Sequence, residues 1–348
     1  MIITHIGCYI KILFSINHPA HVHFFRNTIK ALNEKHIKCL IVARDKDITL
    51  SLLDKYSIDY VVGSKAAKSL ISKCCEIIEY QRVVYGILRR EKPDTVMSIG
   101  GLLCIHAAKL CGTPYILFSD TEHARSEILI SFPFAKFIVT PSCYLKNHGK
   151  KQVRYDGCHE LAYLHPNRFT PNPTVLSDLG LNEVDKFFIL RFVSWDAGHD
   201  MYQHGFTVNG KRRMVELLSK YGRVIISSEA QLPEEFETYR MPICPTKMHD
   251  LLYYATMYIG EGGTMASEAA VLGTPAIFVN TLRLGYLNEQ ESKYGLVYSC
   301  SDEESAHSKA AEWLAIPDIK AKWQAKRKKM LADKIDVTQF LLDVINAV

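Results

Sequence analysis

The sequence predicts an α/β protein of two doubly wound, parallel-sheet domains facing each other across a cleft. Three observations carry this. Strand and helix patterns alternate twice along the chain; a proline-bearing stretch, Cys158 to Pro173, interrupts the alternation; and a glycine-rich strand–turn–helix unit occupies 255–279. At 348 residues the chain exceeds one ordinary core and suits two domains of about 150 residues each.

In the first half, Ile12 to Ile16 is an apolar run of strand length. Residues 20–35 follow as a helix, because Val22, Phe25, Ile29 and Leu32 recur on one face. Cys39 to Ala43 is the next strand, then a helix around 47–56, a short strand at Tyr60 to Val62 and a longer helix over about 66–91. Strand 95–99, helix 102–111 closed by Gly112, strand 115–118, a helix around 122–132 and strand 136–140 complete this half. The interdomain linker is placed in Cys158 to Pro173, with Pro166, Pro171 and Pro173 and little apolar periodicity. The alternation restarts with strand 187–193, helix 211–220, strand 223–227, helix 247–255, strand 257–260, a helix from Thr264 and strand 276–279. Helices at about 283–293 and 303–315, a basic segment from Lys320 to Lys334 and an amphipathic helix at 336–347 end the chain. The expected domains are 1–165, with 1–10 as an extension, and 166–335; helix 336–348 packs back on the first.

Composition narrows the class. Hydrophobic residues at 48% with 23% charge are those of a globular protein, and a net charge of +5 is too mild for a nucleic-acid footprint. The ten cysteines are scattered, with Cys74-Cys75 the only close pair, so neither a zinc site nor a disulfide framework is expected. Reduced thiols and the lack of an 18-residue apolar run lead us to expect a cytoplasmic protein with at most peripheral membrane contact. The basic run Lys320 to Lys329 reads as a solvated face, with anionic lipid as the alternative partner.

The chemistry concentrates in a few segments. In Gly260-Glu261-Gly262-Gly263-Thr264 the glycines let backbone approach a ligand, and the N–H groups of the following first helical turn point at an anion. Glu268, four residues after Thr264, shares its side of the helix. An anion cradle beside a carboxylate suits a nucleotide diphosphate with its ribose hydroxyls. Tight strand–helix packing with a solvated Glu268 would explain the glycines as well. At the end of the first strand stand His18, His21 and His23, where an imidazole suits general-base work or simply caps the helix. Asp120, Glu122 and His123 open another helix, either as its N-terminal cap or as acid–base groups. Arg191 lies in an apolar strand, so it needs a partner: a phosphate or a carboxylate such as Asp196. Trp195 and His199 follow in the same loop as ring-stacking and phosphate- or sugar-meeting candidates. Glu160 reads as a cap more than as a ligand-facing group.

Several segments in this order resemble the GT-B group of nucleotide-sugar enzymes, which contains UDP-sugar glycosyltransferases and non-hydrolysing UDP-N-acetylglucosamine 2-epimerases. They are KILFSINHPAHVHFFRN at 11–27, FSDTEHA at 118–124, GCHELAYLHPNRF at 157–169, LRFVSWDAGHD at 190–200 and the EGGTMASEA block. The resemblance covers about 11–345 and points to an uncharacterised prokaryotic family within that group. It implies two Rossmann-like domains, with diphosphate on Gly262, Gly263 and Thr264, ribose on Glu268, and Ser267 as a further hydroxyl donor. It also implies a sugar-reading pair at Glu289 and Gln290. Arg191 and His199 complete the expected nucleotide-sugar site, and His21, His18, Asp120 and Glu122 the expected catalytic set. Asn17, Pro19 and Ala20 replace glycines of many relatives in the first loop, which suits it less to phosphate.

The activity this implies is metal-independent transfer from a UDP-sugar to a glycan or lipid-linked acceptor, in polysaccharide or glycoconjugate assembly and with no cofactor. A 2-epimerase that takes and returns a sugar proton is the first alternative. A non-catalytic nucleotide-sugar-binding protein is the second.

Overall fold

In the computed structural model the described residues are 10–67, 69–192, 205–228, 232–240 and 244–346. The chain divides into two compact units, Met1–Tyr163 with Ile335–Val348, and Leu164–Lys334.

The first unit runs β1 (Lys11–Ile16), α1 (Pro19–Glu34), β2 (Lys38–Asp45), α2 (Thr49–Lys55), β3 (Val61–Lys65), α3 (Leu70–Glu91), β4 (Thr95–Ile99), α4 (Ile105–Cys111), β5 (Tyr115–Phe118), α5 (Arg125–Ser131), β6 (Phe137–Pro141) and β7 (Gln152–Tyr155). Its seven strands are ordered β3-β2-β1-β4-β5-β6-β7, all parallel, with Leu13 beside both Leu40 and Val96. Parallel strands covered on both faces must be apolar throughout, and Ile12, Leu13, Phe14 and Ile16 are fully buried. The strand order reverses at β1, so the loop after Ile16 lies at the switch point where ligands of such sheets bind.

Two departures from the expected pattern have clear causes. β7 was not expected, because the polar edge strand Gln-Val-Arg-Tyr shows no apolar run. The two units part at Tyr163 and Leu164, inside the stretch Cys158 to Pro173, and the start of that stretch is regular and buried. A short helix, α6 (Leu161–Leu164), forms there, and Leu161, Ala162 and Tyr163 are almost wholly buried. The carbonyl of Ala162 accepts hydrogen bonds from Asn27 Nδ2 at 3.0 Å and Thr338 Oγ1 at 2.6 Å.

The second unit contains α7 (Thr174–Ser177), β8 (Phe187–Phe192), α8 (Val208–Ser219), β9 (Arg223–Ser228), α9 (Met248–Tyr254), β10 (Met257–Gly260), α10 (Gly263–Leu272), β11 (Ala276–Val279), α11 (Gly285–Ser292), β12 (Val297–Cys300), α12 (Glu303–Leu314) and α13 (Ile319–Asp333). Its sheet is β12-β11-β10-β8-β9, again parallel, with β12 unexpected and the switch point between β8 and β10. Gly260 pairs there with Arg191. The last helix, α14 (Val337–Asn346), belongs to the first unit and packs on α1.

The basic run is a solvated face only in part: Lys322, Lys328 and Lys329 are exposed, while Lys320 and Arg327 turn inward. Along α13, Arg327 Nε donates to Val271 O at 2.8 Å and Gln324 Nε2 to Leu272 O at 2.8 Å, the closing carbonyls of α10. Lys320 Nζ donates to Tyr253 O, to Ala255 O at 3.0 Å and to Thr274 Oγ1 at 2.7 Å, at the end of α9. Cations at helix C-termini satisfy orphan carbonyls and oppose the negative dipole end. Lys320→Met strips three acceptors of a donor and is expected to cost about 3 kcal/mol, read as a lowered urea midpoint at unchanged slope.

Every described cysteine is a free thiol, and no helix among the described residues is long and apolar enough to cross a membrane.

Candidate functional site

In the first unit, the chain leaves β1 into Asn17-His18-Pro19. His18 is the N-cap of α1: its Nδ1 accepts from Ala20 N at 3.2 Å, and Pro19 occupies the first helical position. One turn on, His21 Nδ1 accepts from Asn17 N at 3.3 Å. This bond places the ring proton on Nε2. Burial, then the cationic side chains around it, among them His18 and His159, hold His21 well below the ordinary imidazole range, against the opposing pull of Asp120. His21 is therefore neutral, with an Nε2–H to offer. His23 is buried against the rings of Tyr56 and Tyr163, a packing role.

Asp120 follows β5 and caps nothing, since α5 begins only at Arg125, behind Ala124. Asp120 Oδ2 lies 3.1 Å from His159 Nδ1, and Oδ1 accepts from Thr121 Oγ1 at 2.9 Å. Burial works against its charge, but the His159 ring and these hydrogen bonds prevail and hold it at about 2. His159 is correspondingly raised: burial opposes its charge and the adjacent carboxylate outweighs that. Glu160 is driven the other way, up to about 7, by burial and then by the charge of Asp120. His159 Nε2 and Glu160 Oε2 are buried with no hydrogen-bond partner among the described residues.

Sequence reasoning missed His159 and took Glu160 for a cap. The available signal was a His-Glu pair followed directly by the apolar Leu-Ala-Tyr-Leu, which sends both side chains inward. Glu122 does not join this set. Its Oε1 accepts from Leu145 N at 2.7 Å, bracing the segment between β6 and β7.

In the second unit, Arg191 at the end of β8 donates from Nη1 to Ser227 Oγ at 2.6 Å. Glu261 N donates to Arg191 O at 3.1 Å, and Glu261 Oε1 accepts from Phe206 N at 2.7 Å. The N-cap of α10 is Gly262, so no side chain caps that helix, and Thr264 in its first turn is exposed. Open N–H groups at such an end attract anions. A Cβ on Gly263 would stand 2.5 Å from Leu284 Cδ1, so this glycine also serves close packing.

Three expected ligand groups are turned inward. Glu268 is not solvated; it is 7% exposed, and its Oε1 lies 3.0 Å from Nε2 of the still more deeply buried His249 on α9. Ser267 is fully buried and accepts from Gln290 Nε2 at 2.8 Å. Both sit on the face of α10 that packs against α9 and α11. Glu289, beside Gln290 on α11, forms an ion pair with Lys334 at 2.7 Å. His249 carried no signal beyond its helix position. Trp195, Asp196, His199 and Asp200 lie outside the described residues. No group of three His, Cys, Asp or Glu among the described residues is placed to hold a metal.

Two doubly wound parallel sheets of seven and five strands make this a GT-B-type α/β protein. The UDP-GlcNAc 2-epimerase of Neisseria meningitidis, solved with UDP-GlcNAc, superposes with a TM-score of 0.66 at 12% identity, over 97% of this chain and 100% of that one. Glycosyltransferase VinC, solved with dTDP, gives 0.62 at 13% identity over 97% and 99%. At such identities these likenesses show the fold. The chain belongs to the family described as "Protein of unknown function (DUF354)", whose model matches residues 10–340. A relative, the uncharacterized protein MJ0665 of Methanocaldococcus jannaschii, is 23% identical over 287 residues, covering 77% of this chain and 81% of its own.

Proposed function

We propose that the protein is a nucleotide-sugar enzyme that transfers a glycosyl group from a UDP-sugar to a hydroxyl acceptor. The observation that carries this is the set Asp120, His159, Glu160 and His21, four titratable groups held in different protonation states. Asp120 is partly exposed and ionised, and accepts the acceptor's proton. So weak a base suffices, because the hydroxyl becomes strongly acidic as its oxygen bonds to the anomeric carbon. His159 is a positioning residue that keeps Asp120 charged and oriented. The Nε2–H of neutral His21 donates to an oxygen of the sugar or acceptor.

The departing UDP carries negative charge. The uncapped N–H groups of α10 at Gly262, Gly263 and Thr264, with Arg191, offset it without a metal ion. Bonds here balance: the acceptor oxygen gains the anomeric carbon, the diphosphate oxygen takes the electron pair of the broken bond, and the proton passes to Asp120. Polysaccharide or glycoconjugate assembly is the setting we assign.

The raised Glu160 favours a second reading, 2-epimerisation, which needs a protonated carboxyl to return a proton to carbon. Incubation with a panel of UDP-sugars separates the two. Free UDP released only with an acceptor supports transfer; an epimer formed without acceptor supports the second; binding without turnover sinks both. The kcat–pH profile is expected to show a limb near pH 7 that Glu160→Gln removes.

A further inference from the structure

The sequence offers lipid only the basic run of α13, and in the fold Lys320 and Arg327 of that run are taken up by backbone carbonyls. A different surface, on α3 and α4 of the first unit, has a composition that suits a membrane. Ile71, Ile78, Arg82, Tyr85 and Arg89 are spaced by seven, four, three and four residues. At about 100° per residue they fall within a sector of about 60° along α3. All five are exposed, Ile71 by 79%, while Tyr80, Val84 and Ile87 bury the other side of the helix. The subunit's own core therefore has no use for these outward apolar side chains. On α4, Leu110 is 79% exposed and Lys109 stands exposed beside it. Between the two helices lies a groove of about 440 Å³ whose lining includes Ile78, Arg82, Tyr85 and Leu110. Contiguous apolar surface of this kind marks an interaction site.

Charge identifies the occupant. Of the acidic residues of α3, Glu76 is buried against Arg44 at 2.9 Å and Glu91 pairs with Lys38 at 2.9 Å; α4 has none. Glu79 is exposed but lies about 100° round the helix from Ile78. Arg82, Arg89 and Lys109 have no hydrogen bond or ion pair among the described residues. The face thus interleaves three uncompensated cations with exposed apolar side chains. The core of a protein–protein interface is depleted in charge, so a protein partner suits this mixture poorly. The boundary between lipid headgroups and acyl chains suits it well. There apolar side chains enter the acyl layer, arginine and lysine reach back to phosphate, and tyrosine sits at the level between.

We infer that the α3–α4 face docks on the surface of an anionic lipid bilayer, with α3 lying in the plane of the surface. Ile71, Ile78 and Leu110 enter the acyl layer, Arg82, Arg89 and Lys109 meet lipid phosphates, and an acyl chain occupies the groove. The docking does not depend on the reaction proposed above.

Flotation of the whole protein with phosphatidylcholine vesicles, with and without phosphatidylglycerol, tests this. Wild type is expected to float with the phosphatidylglycerol vesicles, to stay behind with phosphatidylcholine alone, and to leave the vesicles as salt screens the charges. Ile71→Ser combined with Ile78→Ser keeps every charge and is expected to weaken binding at least about tenfold, because two isoleucines lose their place in the acyl layer. Arg82→Glu combined with Arg89→Glu is expected to weaken it by at least as much. All four positions are exposed, so the circular-dichroism spectrum and urea midpoint of both variants are expected to match wild type. Reversing the exposed charges of α13, by Lys322→Glu, Lys328→Glu and Lys329→Glu together, is expected to leave flotation as in wild type. Wild type that does not float, or floats equally with both kinds of vesicle, overturns the inference, as does binding that only the α13 variant abolishes. Sedimentation equilibrium checks the competing occupant. A doubled mass of wild type that Ile71→Ser with Ile78→Ser returns to the subunit's 39.5 kDa would give the face to a second copy and overturn the inference too.

Discussion

Asp120→Asn is expected to lower turnover about 10²- to 10⁴-fold, the usual contribution of a positioned acid–base group, while affinity for UDP changes little. The amide keeps the shape and the hydrogen bond to Thr121 but removes the charge. Two consequences separate this from general damage. His159 loses the carboxylate that raises it, so its NMR-detected titration is expected to move down. The stability profile also changes. An aspartate held at about 2 stabilises the fold above its unfolded value of 3.8, and that stabilisation, about 2 kcal/mol, is lost as pH falls through 2. The variant is therefore expected to be less stable than wild type at pH 6 and to differ little from it near pH 2. Wild-type turnover in Asp120→Asn would remove this residue from the mechanism.

The second large effect is expected at Glu268. Truncating one partner of a buried hydrogen-bonded pair strands the other, at a cost of about 3 kcal/mol. Glu268→Ala is thus expected to melt several degrees lower as well as to lose UDP affinity, and on its own it cannot tell ribose recognition from packing. Glu268→Gln and His249→Ala resolve the two. Glutamine preserves length and one acceptor oxygen beside His249, so the fold is expected to stand. If the carboxylate itself reads the nucleotide, calorimetry of Glu268→Gln shows UDP binding weakened at least tenfold with little change in melting temperature. If Glu268 serves only to lock α9 to α10, Glu268→Gln binds UDP normally, and His249→Ala reproduces the instability of Glu268→Ala.

Alternation of apolar runs with amphipathic segments made most strands and helices legible, because both periodicities are local. The elements that escaped, β7 and β12, are edge strands whose short sequences carry no period. Prolines between 158 and 173 suggested a linker; the units part at Tyr163 and Leu164, within that stretch, but the apolar run at 161–164 is a buried short helix that the prolines gave no sign of. The candidate site was legible in part. His18 and His21 could be found because they follow the strand at the switch point, and Asp120 because it follows the apolar strand β5. Their partners could not, since His159 meets Asp120 across 39 residues and His249 meets Glu268 across 19. Side-chain direction was the second blind spot: Ser267 and Gln290 look like surface polar groups until helix packing turns them toward each other.

The contacts of α13 with the end of α10 have a consequence for the opposite end. A ten-residue helix is about 15 Å long, with partial positive charge at its start and partial negative charge at its close. Arg327, at the closing carbonyls, cancels part of the negative pole and leaves the positive one uncompensated. The basic helix thus acts as a remote bias on the potential at Gly262 to Thr264 without standing near it. Selection on anion affinity has a lever three turns away, in a segment whose sequence looks like ordinary surface charge.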